Sequence, residues 1–315
     1  MYRNSFVKRN KCPICSSKEF KTIYSGEFLN EEVSIYLKNA YGTSLNSFLQ
    51  SVNDANYSVL QCSGCDLIFQ EYIPNSEFIT KLYSQCNETG SFPSPVKDYG
   101  LSYYSIYCQD IFQILAFIDK PPSSLKVLDF GMGWGRWALM TKALGCEVYG
   151  VELSDRKVEF AKNNGINIVQ LDRMPMQKFD FINTDQVFEH LANPVDVLAE
   201  LKQSLKVGGI IKICVPNSFG IRYRLHKMDW TAPKGSFKSL NPVAPLEHIN
   251  CFYRKSMLNL AETVGLSEVK IPMMMQYKYI SAWDSPKRIL RNLLMPIYRN
   301  ILGLQNYYLF KNSVS

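Results

Sequence analysis

The clearest alternation of apolar and polar positions in this chain begins at Lys126. Lys126-Val-Leu-Asp-Phe is an apolar run broken by one acid, and glycines follow at every second position, Gly131, Gly133 and Gly135. Arg136-Trp-Ala-Leu-Met-Thr-Lys-Ala-Leu then reads as a helix, and Glu147-Val-Tyr-Gly-Val as a second strand whose tip carries Glu152. Strand, tight turn, helix and strand form the unit with which an α/β sheet grips an adenosine-containing cofactor. Upstream, Tyr104, Ile111, Ile114, Leu115 and Ile118 lie at helical spacings. They predict a helix from Tyr103 to Ile118, with Pro93 and Pro95 breaking a loop before it and Pro121-Pro122 ending it. Val33, Ile35, Tyr36 and Leu37, then Leu45, Phe48 and Leu49, predict one or two short helices within residues 27–56. Near the C-terminus, Ile289, Leu290, Leu293, Leu294, Ile297, Ile301 and Leu302 form a helix-like apolar stripe interrupted by Pro296.

The glycine turn carries chemistry as well as geometry. Without a Cβ, glycine takes positive φ and lets the backbone approach a ligand closely. The helix that follows points its amide-bearing end at the same place. Asp129 suits an ammonium or hydroxyl group better than a phosphate, and Glu152, 23 residues further on, suits ribose hydroxyls. The dinucleotide fingerprint has its third glycine one position later and would set a pyrophosphate against Asp129. Asp129-Phe-Gly-Met-Gly-Trp-Gly instead resembles motif I of the class I S-adenosylmethionine-dependent methyltransferases. In order after it, Phe179-Asp-Phe-Ile-Asn resembles that family's fourth strand, and Gln186-Val-Phe-Glu-His-Leu resembles the segment behind it. Leu205-Lys-Val-Gly-Gly-Ile-Ile-Lys-Ile-Cys-Val-Pro-Asn resembles the glycine turn and fifth strand, and Glu247-His-Ile-Asn-Cys-Phe with Gly265-Leu a later stretch.

The resemblance covers residues 122–272, about half the chain. It implies a Rossmann-like α/β sheet with helices on both faces and S-adenosylmethionine as cofactor. By the same resemblance, Asp129, Gly131, Gly133 and Gly135 line the methionine part of the cofactor and Glu152 holds the ribose. Asp172, near the end of a third strand (Asn167-Ile-Val-Gln-Leu), matches the acid that touches the adenine amino group, although Leu171 stands where the family has glycine. The rival reading of Asp172 is a solvated loop acid. Methyl transfer from a sulfonium is an in-line displacement, for which alignment supplies on the order of 7–11 kcal/mol. A hydroxyl acceptor also needs its proton removed. His190 and His248 each follow a glutamate and are the catalytic candidates, since an ordinary histidine pKa of about 6.5 suits a base at neutral pH. Capping a loop is the alternative.

Four of the nine cysteines are organised. Cys12-Pro-Ile-Cys15 and Cys62-Ser-Gly-Cys65 are two knuckles 46 residues apart. Each can place two thiolates on one face of a tight turn, and two knuckles complete a tetrahedral Zn²⁺ site. Phe20, Ile23 and Tyr24, and then Tyr57, Val59 and Leu60, suit the short strands of a small N-terminal zinc ribbon over residues 1–73, with an insertion at 27–56. Ser16 and Asp66 stand where such knuckles often have glycine. A redox pair is the rival, but no βαβ pattern surrounds either knuckle. Cys86, Cys108, Cys146, Cys214 and Cys251 are scattered and read as ordinary thiols in or near the core.

Zinc ribbons often grip nucleic acid, yet residues 1–75 have no dense basic run beyond Lys8-Arg9 and Lys11. Resemblance to methyltransferases with an N-terminal Cys-x-x-Cys pair implies a sugar, nucleotide-sugar or glycan-precursor acceptor, methylated on oxygen or carbon. A nucleic-acid methyltransferase and an inactive cofactor-binding scaffold are the alternatives. The stretch Arg222 to Trp230, with Lys234 and Lys238, offers cations to an anionic acceptor.

Hydrophobic content of 46% over 315 residues is enough for a full α/β domain plus smaller additions. The expected organisation is a ribbon at 1–73, a helical linker or lid at 74–122 with Tyr99, Tyr103 and Tyr104 as lid candidates, a methyltransferase domain at 123–272 and a basic amphipathic segment at 273–315. From Gln276 onward six Lys or Arg face one acid, Asp284, so the stretch 286–304 is a candidate for contact with an anionic membrane surface. Packing on the domain or on a second subunit is the commoner fate of such a stripe. No apolar run is long enough to cross a bilayer and no signal core opens the chain. A cytoplasmic location is expected, with peripheral contact at the inner membrane face. The net charge of +7 adds mild attraction to anions.

Overall fold

A computed structural model of the chain describes residues 5–47, 49–53, 55–88, 99–281, 283, 285–302 and 307–313. Phe48, Pro93, Pro95, Asp284 and the side chains of Leu49, Cys86, Ile301 and Leu302 lie outside that description. The chain divides into two compact units. One comprises Met1–Val96, Phe188–Pro194 and Val215–Leu260, the other Lys97–Val187, Val195–Cys214 and Ala261–Ser315. The expected boundaries at 73 and 123 therefore differ from the observed ones. Residues 215–260 fold with the N-terminal residues because their apolar side chains complete that unit's core.

In the first unit, an antiparallel sheet runs in the order Asn250–Cys251, Ile68–Gln70, Asn56–Cys62, Phe20–Glu27. The strand from 250 is distant in sequence and pairs with Ile68–Gln70, Asn250 opposite Phe69 and Cys251 opposite Ile68. Within the insertion, the helix Glu31–Tyr41 starts where the Asn30 side chain accepts a hydrogen bond from the Val33 amide at 2.8 Å. Val33, Tyr36 and Leu37 are buried and Ile35 is exposed. Tyr36 and Tyr57 pack against Trp230, with ring centroids 5.3 Å and 5.8 Å apart. Burying each such side chain contributes about 1.5–3 kcal/mol, which draws the 221–246 stretch onto this core. The basic stretch beginning at Arg222 forms the helix Ile221–Lys227. Its Arg224 is buried and donates to the carbonyls of Ser239, Asn217 and Phe219, holding a loop together rather than facing an acceptor.

The second unit is a Rossmann-like α/β fold built on a mixed sheet of seven strands. Their order is Ser267–Val269, Tyr307–Lys311, Leu205–Cys214, Phe179–Asp185, Lys126–Phe130, Glu147–Val151, Asn167–Ile168. The last five are mutually parallel, and Tyr307–Lys311 runs antiparallel to both neighbours. Parallel strands are covered on both faces and so read as continuous apolar runs. Val127, Leu128, Phe181, Ile182, Ile211 and Ile213 are buried accordingly, and Asp129, Asn183 and Lys212 are buried polar exceptions. Along the sheet the one break in chain order among the parallel strands falls between Lys126–Phe130 and Phe179–Asp185. Open α/β sheets bind ligands outside the carboxyl ends of their strands at such a reversal.

The helix expected from Tyr103 runs from Leu101 to Ile118, with Ile111 and Ile114 buried. The segment 273–315 is not a separate appendage. Part of it forms the helix Pro286–Ile297, and Tyr307–Lys311 inserts into the sheet with Tyr308, Leu309 and Phe310 buried. Among the described residues no helix is long and apolar enough to cross a membrane.

Candidate functional site

The turn after the first parallel strand is tied to the second. The amides of Gly131 and Met132 donate to the Val151 carbonyl at 2.9 Å and 3.1 Å. All three glycines of the turn have positive φ, 72° at Gly131, 56° at Gly133 and 67° at Gly135. Their surroundings differ. A Cβ on Gly131 would meet the Val187 side chain at 2.5 Å, and one on Gly135 would meet Ile166 at 2.9 Å. At Gly133 it would meet nothing within 4 Å. The outer glycines are therefore required by packing, whereas the middle one faces open space into which a ligand can come close to the backbone.

Glu152 closes this turn from the neighbouring strand tip. Its Oε2 accepts from the Gly133 amide at 2.9 Å, and its Oε1 accepts from the amides of Leu153 at 2.9 Å and Ser154 at 3.0 Å. A carboxylate offers about four acceptor positions, so these three bonds leave one for a hydroxyl. Asp129 sits at the carboxyl end of the first strand, only 3% exposed, and accepts from the Asn183 side-chain amide at 2.8 Å. Burial pushes its carboxyl up to about 7 and Asp185 adds to the rise, while Asn183 and Lys212 oppose it. A cation beside Asp129 would restore the ionised form. Asp172 is exposed in the turn Leu171–Met176, and among the described residues no hydrogen bond or ion pair joins it to Asp129, the glycines or Glu152. Of the lid candidates, Tyr99 and Tyr103 stack at 4.1 Å and Tyr104 sits edge-on to Tyr103. The Arg136 guanidinium lies 4.7 Å from the Tyr99 ring, at the first residue of the helix that follows the turn.

In the first unit the four knuckle cysteines converge, their Sγ atoms all within 4.8 Å of one another. Cys12 and Cys65 are 3.5 Å apart, and Cys15 and Cys62 are 3.4 Å apart. A tetrahedron with Zn–S bonds of about 2.3 Å has edges of about 3.8 Å, so this set fits the ion with small adjustment. Each knuckle closes by the same backbone bonds. Ser16 donates to the Cys12 carbonyl and Asp66 to the Cys62 carbonyl, both at 3.1 Å. Ser16 and Asp66 take φ of 58° and 63°, the left-handed conformation for which glycine is the default. Contact with Cys65 brings the Cys12 thiol down to about 5 against the opposing effect of burial. Of the basic residues beside the first knuckle, Arg9 is buried and bonded to Asn250 Oδ1 and to the Ile249 carbonyl, and Lys8 pairs with Glu71 at 3.2 Å. Neither presents a bare cation to a phosphate backbone.

His190 and His248 also lie together in the first unit, with ring centroids 4.8 Å apart and planes nearly perpendicular. Nδ1 of His190 donates to the Glu247 carbonyl at 2.9 Å, and Nδ1 of His248 donates to the Asn241 carbonyl. Because a carbonyl only accepts, each ring carries its proton on Nδ1 and keeps a lone pair on Nε2. Burial lowers His190 to about 4; burial and then His190 lower His248 to about 3. Both are neutral at pH 7. The His190 side chain is 29% exposed, whereas His248 is buried. Glu189 is fully buried, its Oε1 3.9 Å from His190 Nε2.

Three polar residues of the second unit escaped the sequence reading. Asn183 holds Asp129, and Lys212 pairs with Asp110 at 2.5 Å, to which Trp137 Nε1 also donates at 3.2 Å. Burial opposes the charge on Lys212, but Asp110 and Asp185 outweigh it and hold the pKa above its ordinary value. The available signal was a polar residue inside an apolar run, as in Ile210-Ile-Lys-Ile213.

A family model described as a methyltransferase domain matches residues 103–271. Among curated proteins, the chain is similar to the ubiquinone biosynthesis O-methyltransferase of Roseobacter denitrificans, with 29% identity over 145 residues, 41% of this chain and 58% of the relative. The protein of the same name from Cereibacter sphaeroides is 26% identical over 178 residues, 49% of this chain and 70% of the relative. The chain thus spans less than two thirds of the first relative's length. Among solved structures, similarity extends to the plantazolicin methyltransferase BamL bound to SAH, at 16% identity and TM-score 0.44, covering 67% of this chain and 86% of that one. It extends also to the [4+2]-cyclase SpnF, at 14% identity and TM-score 0.43, covering 77% and 98%.

Proposed function

Because the chain belongs to the methyltransferase-domain family, matched over more than half of its residues, we propose that it transfers a methyl group from S-adenosylmethionine to a hydroxyl of a sugar, nucleotide sugar or glycan precursor. Oxygen is preferred to carbon because the similar curated proteins are named O-methyltransferases. The observation that carries the reading is Gly133, open to a ligand and held by Glu152 beside the reversal of strand order.

Bound S-adenosylmethionine supplies a methyl group on a positively charged sulfur, already activated for displacement. In this reading Gly131, Gly133 and Gly135 shape the turn, Asp129 faces the ammonium end, and the remaining acceptor position of Glu152 takes a ribose hydroxyl. Asp172 is the proposed adenine contact. Nε2 of His190 receives the acceptor's proton, since His190 is reachable and His248 is buried behind a bonded Nδ1. The four cysteines hold a structural Zn²⁺, with no coordination position left open for chemistry. Leu290 and Leu293 on the last helix, 58% and 45% exposed, support a peripheral membrane contact through 286–304.

Label transfer from methyl-labelled S-adenosylmethionine tests the reading, with nucleotide sugars, a phenol and RNA as parallel acceptors. Methylation of a nucleotide sugar is expected. Transfer to RNA alone would replace the reading, and cofactor binding without transfer to any acceptor would favour a scaffold.

A further inference from the structure

The second unit holds a cavity of 280 Å³. Asp110, Lys212 and Asp185 line it, together with Arg288, Arg291 and Arg299 from the helix Pro286–Ile297 and the turn after it. Asp110 is already engaged by Lys212 and Trp137, and Arg288 donates to the Ser102 carbonyl, so Arg291 and Arg299 share the lining with one further carboxylate, Asp185. Among the described residues neither Arg291 nor Arg299 is in an ion pair. Arg299 lies 4.4 Å over the Tyr307 ring, and its Nε is buried without a hydrogen-bond partner. Arg291 is lowered by burial, and next by Arg299 and Arg288, as expected of crowded like charges.

Leu290, Leu293, Ile297 and Arg291 are exposed, while Arg288 and Arg299 are half-buried, and all three arginines line the cavity. A buried polar or charged group is tolerated when it is paired, and the Arg299 Nε is buried with no hydrogen-bond partner. An anion in the cavity supplies the missing partner. Arginine forks match phosphate oxygens two at a time. At 280 Å³ the cavity falls below the range of about 300–1,000 Å³ that takes a whole small molecule, so it suits one group of a larger ligand.

We propose that this cavity is an anion subsite in which Arg291 and Arg299 hold a phosphate or diphosphate group of the methyl acceptor. Its role toward an acceptor rests on the methyl-transfer reading above, whereas anion binding is measurable without turnover. The full chain is titrated calorimetrically with inorganic pyrophosphate and, separately, with S-adenosylhomocysteine. Saturable pyrophosphate binding is expected, weakened by about tenfold or more in Arg291→Gln and in Arg299→Gln, with S-adenosylhomocysteine affinity unchanged. Arg299→Lys should keep part of the pyrophosphate affinity. Without pyrophosphate, Arg299→Gln should melt no lower than the parent, because a repulsion is relieved; a merely structural arginine would lower the melting temperature. A nucleoside diphosphate and vesicles containing phosphatidic acid, each competing with pyrophosphate, separate a soluble from a membrane-borne source of the group, and competition by either supports the subsite. No pyrophosphate binding, equal binding by all variants, or joint loss of both ligands in the folded variants would overturn it. Failure of the parent protein to bind S-adenosylhomocysteine would instead count against the methyl-transfer reading and leave the pyrophosphate arm to decide on the subsite.

Discussion

Asn183 donates a hydrogen bond to Asp129 at 2.8 Å, across the single break in chain order of the parallel strands. The two residues are also register partners, Asp129 opposite Asn183. A buried carboxyl is thereby fixed at the place where this kind of sheet opens to ligands, held by neutral donors and with its charge only partly compensated.

That arrangement has a sign in pH. The Asp129 carboxyl is raised from 3.8 to about 7, so between those values the folded protein binds more protons than the unfolded chain. Stability contributed by this group is present at low pH and falls as pH rises through the window. Asp129→Asn keeps the Asn183 bond and removes the penalty. It should raise the melting temperature at pH 8 while weakening S-adenosylmethionine binding by about tenfold or more, seen by thermal denaturation and calorimetry on the same samples. Binding by the parent should strengthen as pH approaches 7 from below.

Alanine substitutions in the turn should separate packing from ligand approach. Gly131→Ala drives a methyl into Val187, whereas Gly133→Ala meets nothing within 4 Å. Both incur the left-handed penalty of about 1–2 kcal/mol, and only the first adds a collision. Thermal denaturation should therefore rank Gly131→Ala well below Gly133→Ala. Gly133→Ala should remain folded and lose cofactor affinity.

The knuckles predict both metal content and a stabilising substitution. One Zn²⁺ per chain is expected by elemental analysis, lost with Cys62→Ser, and a chelator should melt the first unit. Ser16 occupies the left-handed region with φ 58°. Ser16→Gly should stabilise the zinc-loaded protein by up to about 1 kcal/mol in denaturant titration.

The histidine pair predicts a pH–rate profile without its usual inflection. His190 is lowered to about 4, so its Nε2 lone pair is available throughout the neutral range. The histidine limb of kcat/KM should be flat from about pH 5 to 8. His190→Ala should lower kcat with little change in cofactor affinity. Because the unfolded chain takes up the proton at about 6.5 and the folded one only near 4, stability from this residue is lost as pH falls through that interval.

Local features were legible in the sequence. The glycine turn, Asp129 and Glu152 lie within 24 consecutive residues, and each knuckle within four, so spacing alone brings them together. Features made by distant pairing were not legible. Asn183 reaches Asp129 only because the strands at 126 and 179 become neighbours, and Arg291 and Lys212 line one cavity although they are distant in sequence. Tyr307-Tyr-Leu-Phe-Lys reads as a strand once the eye leaves the apolar stripe before it. The pairing of Asn250–Cys251 with Ile68–Gln70 carries no local mark at all.

Calorimetric titration of the full chain with S-adenosylmethionine and S-adenosylhomocysteine, beside Glu152→Ala, tests the central claim most directly. Glu152 bonds the amides of Gly133, Leu153 and Ser154. Micromolar binding by the parent, abolished by the substitution, is the predicted result. Absence of binding by folded, zinc-loaded protein, or equal binding by Glu152→Ala, would contradict it.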